Sequence, residues 1–177
     1  MRLLKPVLAP SWRFRGSQEE FFSLWWSSPS TVIFFDGASK GNPGVSGAGG
    51  LVLSPDRLSA FRFCWGLGIM SNNQAEGYSL LMETQLAKEK WFQAVLIYSD
   101  SELLINSLNS LVSLSNFALN AILQRIRRNL KAFAKIEVVH VLRELNKSSN
   151  ALANKACCLS PGFLSINEET SFFHSIP

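Results

Sequence analysis

An α/β fold is what this sequence predicts for residues 31–159, and three observations predict it. Three short apolar runs joined by turn residues come first. Helical apolar periods and compact strands then alternate to the end of the stretch. Hydrophobic residues make up 47% of the 177-residue chain and charged residues 17%. That is enough apolar material for one packed core, and too little charge for a disordered chain.

Each element has its own signal. Residues 31–35 are a short apolar run ending at Asp36-Gly37, as strands do. Residues 47–53 form a strand of small residues closed by Ser54-Pro55-Asp56. Residues 60–67 alternate, with Phe61, Phe63 and Trp65 on one side and Arg62, Cys64 and Gly66 on the other. Short loops between the three predict an antiparallel meander. Ala75, Tyr78, Met82 and Leu86 share one face of a helix. Residues 94–98 are a compact strand. Leu104, Leu108 and Leu111 predict a helix over 101–111, and Leu119, Ile122, Leu123, Ile126, Leu130 and Phe133 a longer amphipathic one. A strand over 136–142 and a small-residue helix over 149–159, carrying Ala151, Ala153 and Ala156, complete the order β-β-β-α-β-α-α-β-α. Strands that alternate with helices add in parallel, so the sheet is mixed.

The ends read differently. Residues 1–30 carry Arg2, Lys5, Arg13 and Arg15, then the aromatic cluster Phe21, Phe22, Trp25 and Trp26. The acid-free basic start fits a transit peptide or a linker from a longer protein. Scarce serine, together with Pro6 and Pro10, which interrupt an amphipathic helix, speaks against the first. The tail, 160–177, opens with Ser160-Pro161-Gly162 and shows no period, which places the end of the domain near Leu159. No uninterrupted apolar run reaches 18 residues, so no membrane span is expected. Three cysteines, two of them the adjacent Cys157 and Cys158, argue for a reducing compartment without disulfides. A monomer in the nucleus or cytoplasm is expected, or in an organelle if residues 1–30 are a transit peptide. The net charge is +4, and residues 31–159 hold thirteen basic and nine acidic side chains, which permits an anionic partner.

Three acids stand at element ends: Asp36 after the first strand, Glu76 in Asn72-Asn73-Gln74-Ala75-Glu76, and Asp100 after the fourth. Each also has a structural explanation. Asp36-Gly37 is a common turn pair, Asn73 and Glu76 have capping-box spacing, and Asp100 can cap the helix that follows. Taken together, they can converge where α/β sheets bind ligands, at the carboxyl ends of the strands. Clustered carboxylates repel unless a divalent cation lies between them, and oxygen ligands suit Mg²⁺ or Mn²⁺.

The segments Phe35-Asp36-Gly37-Ala38-Ser39-Lys40-Gly41-Asn42-Pro43-Gly44, Asn72-Asn73-Gln74-Ala75-Glu76, Tyr98-Ser99-Asp100-Ser101 and Val139-His140-Val141-Leu142-Arg143-Glu144-Leu145-Asn146-Lys147 with Ala151-Leu152-Ala153-Asn154 resemble ribonuclease H. The likeness is to its reverse-transcriptase-like branch of plants and retroelements, over residues 31–159. It implies an RNase H-like fold with a five-stranded mixed sheet flanked by helices. It also implies cleavage of the RNA strand of an RNA–DNA hybrid with two Mg²⁺ ions, or Mn²⁺. By position, Asp36, Glu76 and Asp100 match the first three catalytic, metal-binding carboxylates. The fourth is Asn150 where the family has aspartate. An amide carries no charge, so the second ion is held less tightly. The alternative is an RNase H-like nucleic-acid-binding domain with weakened or absent catalysis, or a retroelement-derived fragment.

In a two-ion site, metals about 3.5–4 Å apart stabilise the attacking and leaving oxygens, and the resemblance makes Asp36 the bridging ligand. It also turns the Gly41-Asn42 turn and Asn72, Asn73 and Gln74 toward the hybrid, where 2′-hydroxyls mark RNA. The competing reading is turn and cap chemistry. Arg125, Arg127, Arg128, Lys131 and Lys135 are either a solvated helix face or contacts to phosphates; Arg125 and Arg128 are the candidates for contact. Trp25-Trp26 can stack on bases or pack on the domain. His140, inside a predicted strand, reads as structural, and His174 is given no role.

Overall fold

The computed structural model describes residues 13–110 and 113–170. Leu111 and His174 therefore lie outside the described residues. The chain runs α1 (Gln18–Ser27), β1 (Thr31–Gly41), β2 (Gly44–Leu53), β3 (Ala60–Met70), α2 (Asn72–Glu89), β4 (Ala94–Ser99), α3 (Glu102–Ser110), α4 (Phe117–Leu130), β5 (Lys135–His140), α5 (Lys147–Ala156) and β6 (Leu164–Glu169).

The sheet order is β5-β4-β1-β2-β3-β6. The three-stranded meander is antiparallel, and β4 and β5 add in parallel beside β1. The sheet has six strands, which corrects the expected five. The sixth, β6, pairs antiparallel with β3. It is an edge strand with every residue at least partly exposed. With no face to bury, it needs no alternation, so no period marks it in the sequence. Ser160-Pro161-Gly162 turns the chain back onto β3: Gly66 N–H donates to the Phe163 carbonyl (2.9 Å) and Gly162 N–H to the Gly66 carbonyl (2.7 Å).

Strand alternation sorts the core into two layers. Ile33, Phe35, Val52, Val95 and Ile97 face α2, α3 and α4. Val32, Phe34, Leu51, Leu53 and Tyr98 face the other side, where α1 delivers Phe21 and Trp25. Ser17 caps α1 in a reciprocal pair with Glu20. Phe21 and Trp25, one helical turn apart, meet the Phe34 ring edge-on at 6.0 and 5.6 Å. Trp25 thus packs on the domain.

Arg57 ties α1 down. Its buried guanidinium donates to the carbonyls of Trp25 (2.5 Å), Ser28 (2.8 Å), Ser30 (2.8 Å) and Ser54 (2.7 Å). A planar five-donor group suits this cluster of carbonyls at a helix end.

β1 does not stop at Asp36. It continues to Gly41, so Asp36-Gly37 is strand and not turn. The glycine serves another purpose. A Cβ on Gly37 would stand 2.2 Å from the Glu76 backbone nitrogen, so its absence lets the first turn of α2 lie directly on β1. Gly49 does the same on the opposite face, where a Cβ would stand 2.3 Å from the Ala153 nitrogen of α5. The cysteines are free thiols. Among the described residues, no helix is long and apolar enough to cross a membrane.

Candidate functional site

The two glycine contacts position the acids. Asp36 lies opposite Gly49 in the β1–β2 register, and Phe34 pairs with Tyr98 across β1–β4. Two residues further along each of these strands, Asp100 comes level with Asp36. Gly37 sets the start of α2 beside them, bringing Glu76. Gly49 lets α5 approach from the other face with Asn150. The four residues named from sequence are therefore neighbours where β4 ends beside the middle of β1.

Hydrogen bonds hold each in place. Asp36 Oδ1 accepts from Gly37 N–H (2.8 Å) and Oδ2 from the Asn150 side-chain amide (2.9 Å). Glu76 accepts from Asn72 Nδ2 (3.0 Å) on Oε1 and from the Ser101 hydroxyl (2.5 Å) on Oε2. Asp100 Oδ1 accepts from Asn146 Nδ2 (2.9 Å), which also bonds the Phe35 carbonyl (2.9 Å). Ser101, Asn146, Asn154 and Lys40 were given no role from sequence. Ser101, next to Asp100, and Asn146, one helical turn before Asn150, both lie in the segments that carry the family resemblance, and that is the sequence signal by which they could be found.

The electrostatics follow from crowding. Burial, and then repulsion from Asp100, push the Asp36 carboxyl up to about 6; the bonds from Asn150 and Gly37 and the charge of Arg143 oppose this. Burial pushes Glu76 up to about 7; the Ser101 bond resists, and the charges of Asp36 and Asp100 add to the rise.

Asn150 is the departure, and its orientation is fixed by its neighbours. Lys40 Nζ donates to Asn154 Oδ1 (2.8 Å). A lysine can only donate, so Asn154 must turn its oxygen to Lys40 and its NH₂ toward Asn150. Asn154 Nδ2 then donates to the Asn150 backbone carbonyl (2.8 Å) and to Asn150 Oδ1 (3.3 Å). That leaves Asn150 with its N–H facing Asp36. A group that donates to a carboxylate does not also ligate a cation there. Among the described residues, no group of three or more His, Cys, Asp or Glu side chains is placed to hold a metal ion. The donor set as arranged does not fit the two-ion site.

The candidate binding residues divide. Gly41, at φ +108°, and exposed Asn42 form the β1–β2 turn, and Asn42 Oδ1 accepts from Asn72 N–H (3.1 Å). The turn and the start of α2 thus make one surface with Asn73 exposed on it. The cap of α2 is Ser71 with Gln74, not Asn73 with Glu76. Arg125 and Arg128 are exposed on α4. Asn129, next to Arg128, bonds Thr84, eight residues along α2 from Glu76, or about 12 Å of helix. Arg127 is buried and donates to the Ser107 carbonyl (2.8 Å), so it is no part of a solvated face. His140 is buried, and its Nδ1 accepts from Arg13 (3.1 Å).

Comparison with known proteins gives concordant results. The family model described as reverse transcriptase-like matches residues 34–156. An Arabidopsis thaliana protein named for ribonuclease H is 32% identical over 147 residues, covering 81% of this chain and 24% of that one. Ribonuclease HI of Halobacterium salinarum is 32% identical over 123 residues, covering 70% and 62%. The chain thus spans less than two thirds of either relative. The crystal structure of RNase H1 from Halobacterium salinarum superposes with a TM-score of 0.67 at 31% identity, over 72% of this chain and 96% of that one. LC11-RNase H1, solved with an RNA/DNA hybrid, shares the fold at TM-score 0.63 and 22% identity, over 72% and 96%.

Proposed function

The chain belongs to the reverse transcriptase-like family of ribonuclease H domains, and on that premise we propose that it binds RNA–DNA hybrids while its cleavage of the RNA strand is weakened or lost. One observation carries the second half. The amide of Asn150, held by Asn154 and Lys40, points a donor at Asp36 where the family's aspartate would add a carboxylate. The bond neutralises part of the Asp36 charge and removes the need for a cation on that side.

Binding is supported by the surface of Gly41, Asn42, Asn72 and Asn73 beside the acids, whose donors and acceptors suit 2′-hydroxyls in a wide minor groove. The basic excess of residues 31–159 suits the phosphates, and contact with them is sequence-blind and salt-dependent. Arg128 fits this role only for a duplex long enough to reach along α4.

A labelled hybrid incubated with Mg²⁺ or Mn²⁺ tests the reading. The expected result is slow or absent cleavage by the parent, faster cleavage by Asn150→Asp and none by Asp36→Asn, with all three binding. Parent cleavage that Asn150→Asp does not accelerate overturns the weakened-site reading. Failure of all three to bind hybrid overturns the whole.

A further inference from the structure

Helix α2 ends in a turn whose backbone asks for glycine. Trp91 N–H donates to the Lys88 carbonyl and Phe92 N–H to the Ala87 carbonyl (3.1 Å each). In such a closing turn the residue after the cap takes a left-handed conformation, and it is usually glycine. Lys90 is the cap, and the residue after it is Trp91, at φ +60°. A bulky side chain there is a conformational outlier. Packing does not compensate for it, because Trp91 is 83% exposed. Backbone strain of this kind clusters at functional sites.

Cations surround the indole. Lys88 and Lys90 are exposed at the end of α2. The Gln93 carbonyl accepts from Ala134 N–H (2.7 Å) and Lys135 N–H (3.3 Å), which sets the turn after α4 beside this one. Lys131 and Lys135 are exposed on that second turn. The nearby acids are already bonded: Glu89 accepts from Gln85 Nε2 (2.9 Å), and Glu137 pairs with Lys135 (3.6 Å). Among the described residues of the two turns, Trp91 is the one exposed large apolar side chain. A single indole lacks the apolar face that a membrane-surface helix buries. It suits a strand in which planar bases alternate with phosphates. The six-residue strand β4, ~20 Å long, separates this patch from Asp100.

We propose that Trp91 and these lysines bind single-stranded nucleic acid, with a base stacked on the indole and phosphates against the ammonium groups. A duplex hides the faces of its bases, so this surface selects unpaired strands. It is separate from the Gly41-Asn42 surface assigned to the hybrid and does not rest on the proposed function.

The full chain is added, in EDTA at low salt, to a fluorescein-labelled oligothymidylate of about fifteen nucleotides, and anisotropy is recorded. An abasic chain of the same length is the comparison. The oligothymidylate is expected to bind about tenfold tighter than the abasic chain, since only it can stack. Trp91→Gly is expected to weaken oligothymidylate binding about tenfold yet to melt no lower than the parent, because glycine relieves the turn. Lys88→Ala combined with Lys131→Ala is expected to weaken it about fivefold and to flatten its salt dependence. All variants are expected to bind a blunt-ended hybrid as the parent does. Absent oligothymidylate binding overturns the proposal, as does equal binding of the abasic chain or binding that Trp91→Gly leaves intact. A Trp91→Gly protein that melts well below the parent, or loses blunt-ended hybrid to the same extent, overturns it too. Tighter binding of phosphatidylserine vesicles than of oligothymidylate gives the surface to a membrane and also overturns it. Single-strand binding by a protein that fails to bind hybrid removes the proposed function and leaves this site standing.

Discussion

Replacing Asn150 by aspartate puts a carboxylate where the amide now donates to Asp36 at 2.9 Å. Two carboxylates at that distance cannot both stay ionised, so without a cation Asp36 must take a proton. Its carboxyl already sits at about 6. At pH 8, holding the proton two units above that value costs roughly 2.7 kcal/mol, from ~1.36 kcal/mol per unit. At pH 6 the same requirement costs only about 0.4 kcal/mol. For a chain of this size each kcal/mol moves the melting temperature by roughly 2–4 °C. Asn150→Asp in EDTA is therefore expected to melt about 5–10 °C below the parent at pH 8 and about 1–2 °C below it at pH 6. Mg²⁺ at a hundred times its dissociation constant returns about 2.7 kcal/mol, enough to restore the variant at pH 8, while the parent responds little. Asn150→Ala serves as control: it loses a charge-assisted bond of roughly 1.5–3 kcal/mol at pH 8, less at pH 6 where Asp36 is half protonated, and it gains nothing from Mg²⁺. Differential scanning fluorimetry reads all three. An Asn150→Asp protein that melts with the parent at pH 8 in EDTA, or drops as far at pH 6 as at pH 8, refutes the reasoning.

Three further outcomes are expected. Asp36 and Glu76 titrate at about 6 and about 7 when folded, above their ordinary values of 3.8 and 4.5. Between these limits the folded chain binds more protons than the unfolded one, so stability falls as pH rises through that window and levels off above it, by up to roughly 3 kcal/mol for each group. Metal-free melting from pH 5 to 8 should show the decline, and Glu76→Gln should make it shallower; a profile that rises with pH contradicts it. Gly37→Ala pushes a methyl into the Glu76 backbone and should cost about 2–3 kcal/mol, read as a lower urea midpoint. Arg57→Ala leaves the carbonyls of Trp25, Ser28 and Ser30 without their donor; a loss of roughly 3 kcal/mol with a red shift of tryptophan emission is expected as Trp25 is released.

Local patterns carried most of the fold. The spacing of Leu119, Ile122, Ile126 and Leu130 marks α4, and the alternation of Phe61, Phe63 and Trp65 marks β3, because a single buried face imposes each period. Asp36-Gly37 misled because a glycine in front of a packed helix looks the same in sequence as a glycine in a turn. The edge strand β6 left no signal because nothing buries it. Arg127 reads as one of several surface cations until Ser107, twenty residues earlier, is seen to accept its donor. At the site, Asp36, Glu76, Asp100 and Asn150 stand out through the motifs that hold them. The direction of the Asn150 amide does not, since it depends on Lys40, 110 positions away in the chain and adjacent only after folding. The same holds for Asn146, whose grip on Asp100 spans β4 and α5.

The most direct measurement adds the parent protein to a fluorescein-labelled RNA–DNA hybrid in EDTA, records anisotropy across a salt series, then adds excess Mg²⁺ and follows product in the same sample. The account predicts binding that weakens steeply with salt, persists after Mg²⁺, and yields little product over a period in which Asn150→Asp consumes the hybrid. An anisotropy that stays flat at low salt, or a parent that cleaves as fast as Asn150→Asp, contradicts it.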